Sequence, residues 1–335
     1  MKRDTAKNLI HALVPLTLLV IFTLFICFPS DIPFLSIKPS SYKGIGTIPF
    51  SVPVPVTKEA KKGLLAFSLK KVPPGVSPAG CTDIAGGTVV TAPYSLGETE
   101  VTGALWDAVT AHPAAARYVF TGKQVYGPTS DSPVAGVSWR DAIVFCNALS
   151  AVLDLAPVYR FADGSKVDGP VTSVLDLESF RDAVVAMPKA NGFRLPSSDE
   201  WELAARYIDG TSWTPGSHPS GSSTPYYEDT RSSLYAVFQA DSSAPVRSRA
   251  SNQLGIYDMS GNVWEWCFDT FDEANGSDGA KGGSDGAEAV PPGKHVVRGG
   301  TWLGTAYRLQ IGGEFGSRSD IIEQGQGFRL ARSGW

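Results

Sequence analysis

Histidine and cysteine are scarce in this chain, four of each among 335 residues, and only 19% of the side chains are charged. So few imidazoles and thiols leave few ways to build a catalytic metal site. His112, His218 and His295 stand far apart, no two at the i, i+4 spacing of a helical metal motif, and each reads as a solvated loop residue. No two cysteines have metal-ligand spacing either. Cys81, Cys146 and Cys267, the three beyond the N-terminal segment, are an odd number, so a single disulfide is open to them and spacing does not choose the pair. Cationic patches are also lacking. A formal net charge of −4 with scattered Lys and Arg excludes a nucleic-acid footprint. The Gly-rich phosphate loop and the His-Glu-x-x-His helix are missing.

Turn formers are plentiful: 35 Gly and 24 Pro, beside 43% apolar residues, predict a loop-rich fold with a sizeable core. Lys2, Arg3 and Lys7 precede an uncharged apolar run from Leu13 to Phe28, short for a membrane span and long enough for a signal segment. The tetrad Leu24-Phe25-Ile26-Cys27 is similar to a bacterial lipobox. Residues 1–27 are therefore expected to be a signal or lipoprotein leader with Cys27 as the lipidation site. The alternative is an uncleaved anchor. Either reading exports the body and tethers it to a membrane, at the cell surface or outer membrane. Residues 28–63 alternate Pro with apolar residues at Pro49, Pro53 and Pro55 and read as an extended stalk, part of which could pair as an edge strand.

A single globular domain is expected over 64–335. Thr88–Val90 and Tyr94–Leu96 read as short strands. Thr102 is placed to cap a helix with Leu105, Trp106 and Val109 inward. Ser138 and Asp141 open a second, whose buried stripe is Trp139, Ile143, Cys146, Leu149 and Leu153. Ser197 to Glu200 form a capping box for a third, burying Trp201, Ala204, Ala205 and Ile208. Glu98, Glu100, Asp199 and Glu202 read as cap or helix-surface carboxylates. Phe271 to Gly293 is Gly/Asp/Ala-rich and reads as a mobile loop.

Six motifs follow one another in order: Tyr94–Thr102 (Tyr-Ser-Leu-Gly-Glu-Thr-Glu-Val-Thr), Pro133–Ala142 (Pro-Val-Ala-Gly-Val-Ser-Trp-Arg-Asp-Ala), Phe193–Glu202 (Phe-Arg-Leu-Pro-Ser-Ser-Asp-Glu-Trp-Glu), Asn252–Trp266 (ending Gly-Asn-Val-Trp-Glu-Trp), Val297–Trp302 (Val-Arg-Gly-Gly-Thr-Trp) and Gly327–Ala331 (Gly-Phe-Arg-Leu-Ala). Together they resemble the formylglycine-generating-enzyme, or sulfatase-modifying factor, domain family. That resemblance implies an α+β, C-type-lectin-like fold, loop-rich, with few helices around short antiparallel strands. The family's catalysts resemble copper oxidases that carry two cysteines five residues apart just after the Val297–Trp302 motif, because Cu(I) prefers sulfur ligands. Here those positions are Gly304 and Leu309, which can neither bind copper nor be oxidised. No catalytic residues and no required cofactor are therefore expected. The resemblance also points to Gly261, Val263 and Glu265 as a structural Ca²⁺ site of oxygen ligands. The alternative there is a hydrogen-bonded loop that packs Trp264 and Trp266.

Between Trp302 and Gly327 lie 24 residues, 303–326, without helical or strand period. Leu309 and Ile311 read as inward anchors at strand spacing. In length and frame this segment resembles the variable region of the non-catalytic variable proteins of diversity-generating retroelements. The resemblance implies exposed, diversified contact positions at Gly304, Tyr307, Arg308, Gly313, Glu314, Phe315, Ile321, Ile322 and Glu323, with Leu303 and Thr305 beside them. Tyr, Phe, Arg and an Ile-Ile pair are residue types that anchor interfaces. The expectation is a surface-displayed lipoprotein binding a protein or other macromolecule, with a calcium-dependent lectin and a degenerate oxidase as alternatives.

Overall fold

The computed structural model describes residues 45–53, 64–161, 163–168, 184–186, 189–271, 293–319 and 322–334. The expected leader with Cys27, the stalk up to residue 44, Ile321, and the loop expected between Phe271 and Gly293 lie outside the described residues.

Edge strands tolerate proline because their outward N–H groups need no partner, and this decides where the domain begins. β1 (Thr47–Pro53) pairs antiparallel with β2 (Leu64–Val72), setting Ile48, Phe50 and Val52 opposite Leu69, Phe67 and Leu65. Residues 47–53 are thus an edge strand of the domain, not stalk. The alternation that resembles a Pro-rich spacer puts Pro49 and Pro53 outward and lets Phe50 stack on Phe67 (5.3 Å) and meet Phe193 edge-on (5.1 Å).

The chain continues through the hairpin β3 (Gly75–Ala79) and β4 (Ile84–Val90), then β5 (Tyr94–Glu100), helix α1 (Gly103–Thr110), β6 (Gln124–Val125), β7 (Val134–Ala135), α2 (Trp139–Val152), β8 (Tyr159–Phe161), β9 (Val184–Ala186), α3 (Ser198–Arg206) and the short α4 (Asp229–Ser232). It closes with β10 (Trp264–Thr270), β11 (Lys294–Arg298), β12 (Phe315–Arg318), β13 (Gln326–Gly327) and β14 (Arg329–Ser333). One sheet runs β1-β2-β5-β14, all antiparallel. A second four-stranded sheet runs β12-β11-β10-β13, antiparallel except for the parallel pair β10–β13, and β3-β4, β6-β7 and β8-β9 form two-stranded sheets.

The helices start where their caps predict. Thr102 accepts the Leu105 N–H, and both Ser138/Asp141 and Ser197/Glu200 form reciprocal capping boxes. α2 is buried on every face from Trp139 to Ser150 rather than along one stripe, while Leu153 caps its C-terminus half-buried. Ile208 corrects the expected stripe of α3: that helix ends at Arg206, and Ile208 is 37% exposed beyond it.

The core is aromatic. Trp106 stacks on Phe145 at 4.9 Å, and Phe328 packs edge-on against both. The indole N–H groups of Trp139 and Trp266 donate to the Cys267 and Val137 carbonyls, each at 2.9 Å. His295 is not a solvated loop residue. It lies on β11, buried, stacked 3.7 Å from Trp139, with Nδ1 3.1 Å from the Phe268 and Asp269 carbonyl oxygens. Cys81, Cys146 and Cys267 are unpaired thiols; burial pushes the Cys146 and Cys267 thiols far above their ordinary range.

Candidate ligand-binding surface

Two buried arginines organise the ground on which the 303–326 segment stands. Arg329 follows Phe328 into the domain and grips Glu265 from two sides, Nε to Oε2 at 2.5 Å and Nη2 to Oε1 at 2.6 Å; Trp201 adds its N–H to Oε2 at 2.7 Å. All three are buried. Both oxygens of the Glu265 carboxylate are therefore committed to a guanidinium, a geometry bidentate Arg–carboxylate pairs favour. A Ca²⁺ ion would have to displace that arginine, so Gly261, Val263 and Glu265 do not fit the calcium site suggested by their motif. Gly261 has another use: at φ 77° it passes so close to Val237 that a Cβ would sit 2.2 Å from the Val237 carbonyl oxygen. Among the described residues no cluster of three or more His, Cys, Asp or Glu side chains is placed to hold a metal ion.

Glu100 and Asp258 crowd the same pocket, so three carboxylates share the neighbourhood of Arg329. Burial, reinforced by Asp258 and Glu265, pushes Glu100 well above the usual carboxylate range; burial likewise pushes Asp258 up to about 6. Glu100, expected at a surface or cap, is 2% exposed and accepts from Asn262 Nδ2 (2.7 Å) and the Val263 N–H (3.1 Å).

Arg298, the last residue of β11, does for the segment what Arg329 does for the motif turn. Its Nη2 donates to Glu202 Oε2 (2.8 Å) and Ser198 Oγ (2.7 Å), and its Nη1 to the carbonyls of Gly313 (3.0 Å) and Ile311 (3.4 Å). Burial alone would lower its basicity, but Glu202 and Glu314 outweigh that and hold the guanidinium charged. Glu202, like Glu100, is buried rather than on a helix surface, and it also takes Arg206 Nε at 2.8 Å.

From this base the segment is tacked down at intervals. Gly299 and Gly300 both adopt positive φ, and a Cβ on Gly300 would lie 2.6 Å from the Arg308 carbonyl oxygen. Trp302 is buried, and the carbonyls of Trp302 and Gly304 accept from the Ala240 and Gln239 N–H groups at 2.8 and 3.0 Å. A 3₁₀ turn, Ala306–Leu309, follows. Leu309 and Ile311 are fully buried anchors as expected, though on a turn rather than a strand. The Leu309 carbonyl accepts from Ser260 Oγ (3.0 Å), Ile311 N–H donates to His218 (3.2 Å) and Gly312 N–H to Gly216 (2.9 Å). Phe315–Arg318 is then the outer strand β12, and Gln326 holds Ser317 through a 2.6 Å bond.

The residues between these tacks face out. Leu303 (55% exposed), Thr305, Ile322 (47%) and Glu323 are exposed; Gly304, Tyr307, Arg308, Glu314 and Phe315 are half-buried. Gly313 departs from the expectation. It is buried: its carbonyl serves Arg298, and a Cβ added there would lie 3.1 Å from the Phe315 ring. Glu314 is half committed inward, accepting from Ser198 Oγ at 3.2 Å. Gly304 and Leu309, the positions where thiols would be required, are respectively a half-buried backbone turn and a core residue.

Two tyrosines that sequence reasoning did not single out, together with Trp264, extend this face. Tyr227 is 69% exposed and packs edge-on with Tyr226 (5.4 Å), which meets Tyr307 (5.6 Å). The Arg308 guanidinium lies 5.8 Å from the Tyr307 ring centre and 4.3 Å over Phe315, which in turn meets half-buried Trp264 at 5.1 Å. The result is one continuous row: Tyr227, Tyr226, Tyr307, Arg308, Phe315, Trp264. The available signal was a Tyr-Tyr pair in a Gly/Ser/Pro-rich stretch with no apolar period to bury it.

A chain with these motifs, this frame and this packing belongs to the sulfatase-modifying factor enzyme 1-like domain family, whose model matches residues 69–334. Its fold is C-type-lectin-like, of the formylglycine-generating-enzyme type. Among solved structures it is similar to Treponema denticola variable protein 1, with 26% identity, TM-score 0.60, and coverage of 86% of this chain and 99% of that one. It is 28% identical over 256 residues to the chaperone protein LppX of Paenibacillus barcinonensis, covering 72% of this chain and 80% of the relative. Shorter matches are the formylglycine-generating enzyme of Thermomonospora curvata (35% over 141 residues; 36% of this chain, 45% of the relative) and the inactive Cα-formylglycine-generating enzyme 2 of Mus musculus (28% over 161 residues; 42% and 44%). Similarity to a variable protein and to an inactive relative is consistent with a non-catalytic role.

Proposed function

We propose that this protein is a non-enzymatic binder of a polypeptide ligand, carried at the cell surface by the lipidated N-terminal segment at Cys27. Its recognition surface combines the exposed residues of the 303–326 segment with the Tyr226–Tyr227 loop. The observation that carries this reading is the aromatic row with Arg308 at its centre, half-buried except for exposed Tyr227, on a backbone that buried anchors hold in place. Solvent-accessible Tyr, Phe and Arg on rigid supports are the side chains that dominate interface energetics, and inert surfaces seldom gather apolar groups in one patch. The likeness to a variable protein supports changeable contact positions at Leu303, Gly304, Thr305, Tyr307, Arg308, Phe315, Ile322 and Glu323. The likeness to a protein described as a chaperone supports a polypeptide as the ligand. The residues at 304 and 309 offer no thiol for copper oxidase chemistry.

The test is selection of displayed random peptides on the detergent-solubilised full chain. The selected peptides are expected to bind the parent and to lose binding to a variant with Leu303, Thr305, Tyr307, Ile322 and Glu323 all changed to Ala, whose melting transition stays near that of the parent. Peptides that bind both proteins equally would place recognition elsewhere. Conversion of a sulfatase-type cysteine peptide to the aldehyde in the presence of copper would overturn the non-enzymatic reading. A near-copy of the coding segment for 298–332, differing at adenines and beside a reverse-transcriptase gene, is the genomic check on diversification.

A further inference from the structure

Arg308 is the cation at the middle of the aromatic row, and its environment differs from that of the four arginines that pair with carboxylates inside the domain. Arg194, Arg206, Arg298 and Arg329 each face a carboxylate at 2.5–2.8 Å. Arg308 forms no ion pair with any described residue; its guanidinium instead lies 4.3 Å over the Phe315 ring and 5.8 Å from the Tyr307 ring centre. Stacking occupies the faces of a guanidinium and leaves its edge, where the N–H donors lie, unspent. Glu314, the nearest acid in sequence, is turned inward to Ser198 and toward Arg298. The flanks of Arg308 are apolar in both directions, through Phe315 to Trp264 and through Tyr307 to Tyr226 and Tyr227.

Resting on the binding role proposed above, we infer that the polypeptide ligand presents an Asp or Glu carboxylate next to an aromatic or large aliphatic residue. The carboxylate takes the in-plane edge of Arg308, and the neighbouring side chain lies on Tyr307 and Tyr226 or on Phe315 and Trp264. Aromatic stacking holds the guanidinium flat before the ligand arrives, so little rotamer freedom is lost when the two-pronged contact forms. A cation pre-positioned this way, with no carboxylate paired to it among the described residues, discriminates against basic segments as well as favouring acidic ones.

The peptide selection on the full chain tests this through the composition of what is retained. The expected outcome is enrichment of Asp or Glu directly beside Phe, Tyr, Trp, Leu or Ile, with binding that weakens as salt rises. Arg308→Gln should weaken a selected peptide roughly tenfold to hundredfold, the range for losing one charge-assisted contact. Arg308→Lys keeps the charge but not the flat fork and should fall between. Tyr227→Ala should weaken the same peptide severalfold, on the order of 5-fold, as loss of an interface aromatic does. Peptides that respond to Tyr227→Ala but show no acidic preference, or that bind Arg308→Gln as tightly as the parent, overturn the carboxylate inference and leave the binding surface standing. Retained peptides indifferent to both variants, or a selection that retains none, overturn both.

Discussion

Arg298 is where the fold and the recognition surface are joined, and replacing it with Met tests that joint. Met fills most of the volume while deleting the guanidinium, which leaves Glu202 Oε2, Ser198 Oγ and the carbonyls of Ile311 and Gly313 without their donor. Removing one partner of a buried ion pair costs about 3–5 kcal/mol. Glu202 keeps Arg206 through its other oxygen, so the lower end of that range is expected, with the two carbonyls adding to it. Against a total stability of roughly 5–15 kcal/mol, such a loss should move the urea midpoint by on the order of 1 M. Intrinsic tryptophan fluorescence is the natural assay, because Arg298 lies 5.8 Å from the Trp201 ring centre. Arg298→Lys retains a charge for Glu202 but lacks enough donors to reach Ser198 and both carbonyls together, and should lose about 1–2 kcal/mol. A midpoint for Arg298→Met indistinguishable from that of the parent would refute the claim that this arginine clamps the segment to α3.

Leu309→Ala should cost about 2–5 kcal/mol in the same urea titration, as a fully buried leucine does, whereas Leu303, Thr305 and Glu323 changed together to Ala should cost about 1 kcal/mol or less in sum. Gly312→Ala would place a Cβ 2.3 Å from the Gly80 backbone, and a loss of about 3 kcal/mol or more is expected in its melting transition. The raised value of Asp258, about 6 when folded against 3.8 in an ordinary setting, means that the folded state binds its proton more tightly than the unfolded one. Its contribution is full below about pH 4 and is lost as pH rises through 6, so Asp258→Asn should become less stable relative to the parent by about 1 kcal/mol between pH 7 and pH 5, read from paired denaturation curves.

Local signals were legible wherever the physics was local. Thr102, Ser138 and Ser197 announce helices because a cap needs only the next three residues, and Leu309 and Ile311 stand out as apolar positions in an otherwise aperiodic stretch. What escaped reading depends on partners far along the chain. Glu100 and Glu202 look like surface acids until Asn262 and Arg298 arrive from 162 and 96 positions away. His295 looks solvated until Trp139 covers its face. β1 carries two prolines that read as a spacer, and only pairing with β2 reveals an edge strand. Gly313 was expected among the contact positions because nothing in its neighbours shows that its carbonyl is spoken for. The face formed by Tyr226 and Tyr227 exists only through their contact with Tyr307.

Between Trp302 and Gly327, no stretch of consecutively described residues leaves more than three unburied positions in a row. A slack loop of ten residues captured by a partner would forfeit about 10 kcal/mol or more in backbone freedom. Here that freedom is already gone before any encounter, so exchanging one outward side chain for another alters what the surface touches without altering how much order has to be created. Affinity can then follow chemistry position by position, and a single replacement is enough to change which partner is kept.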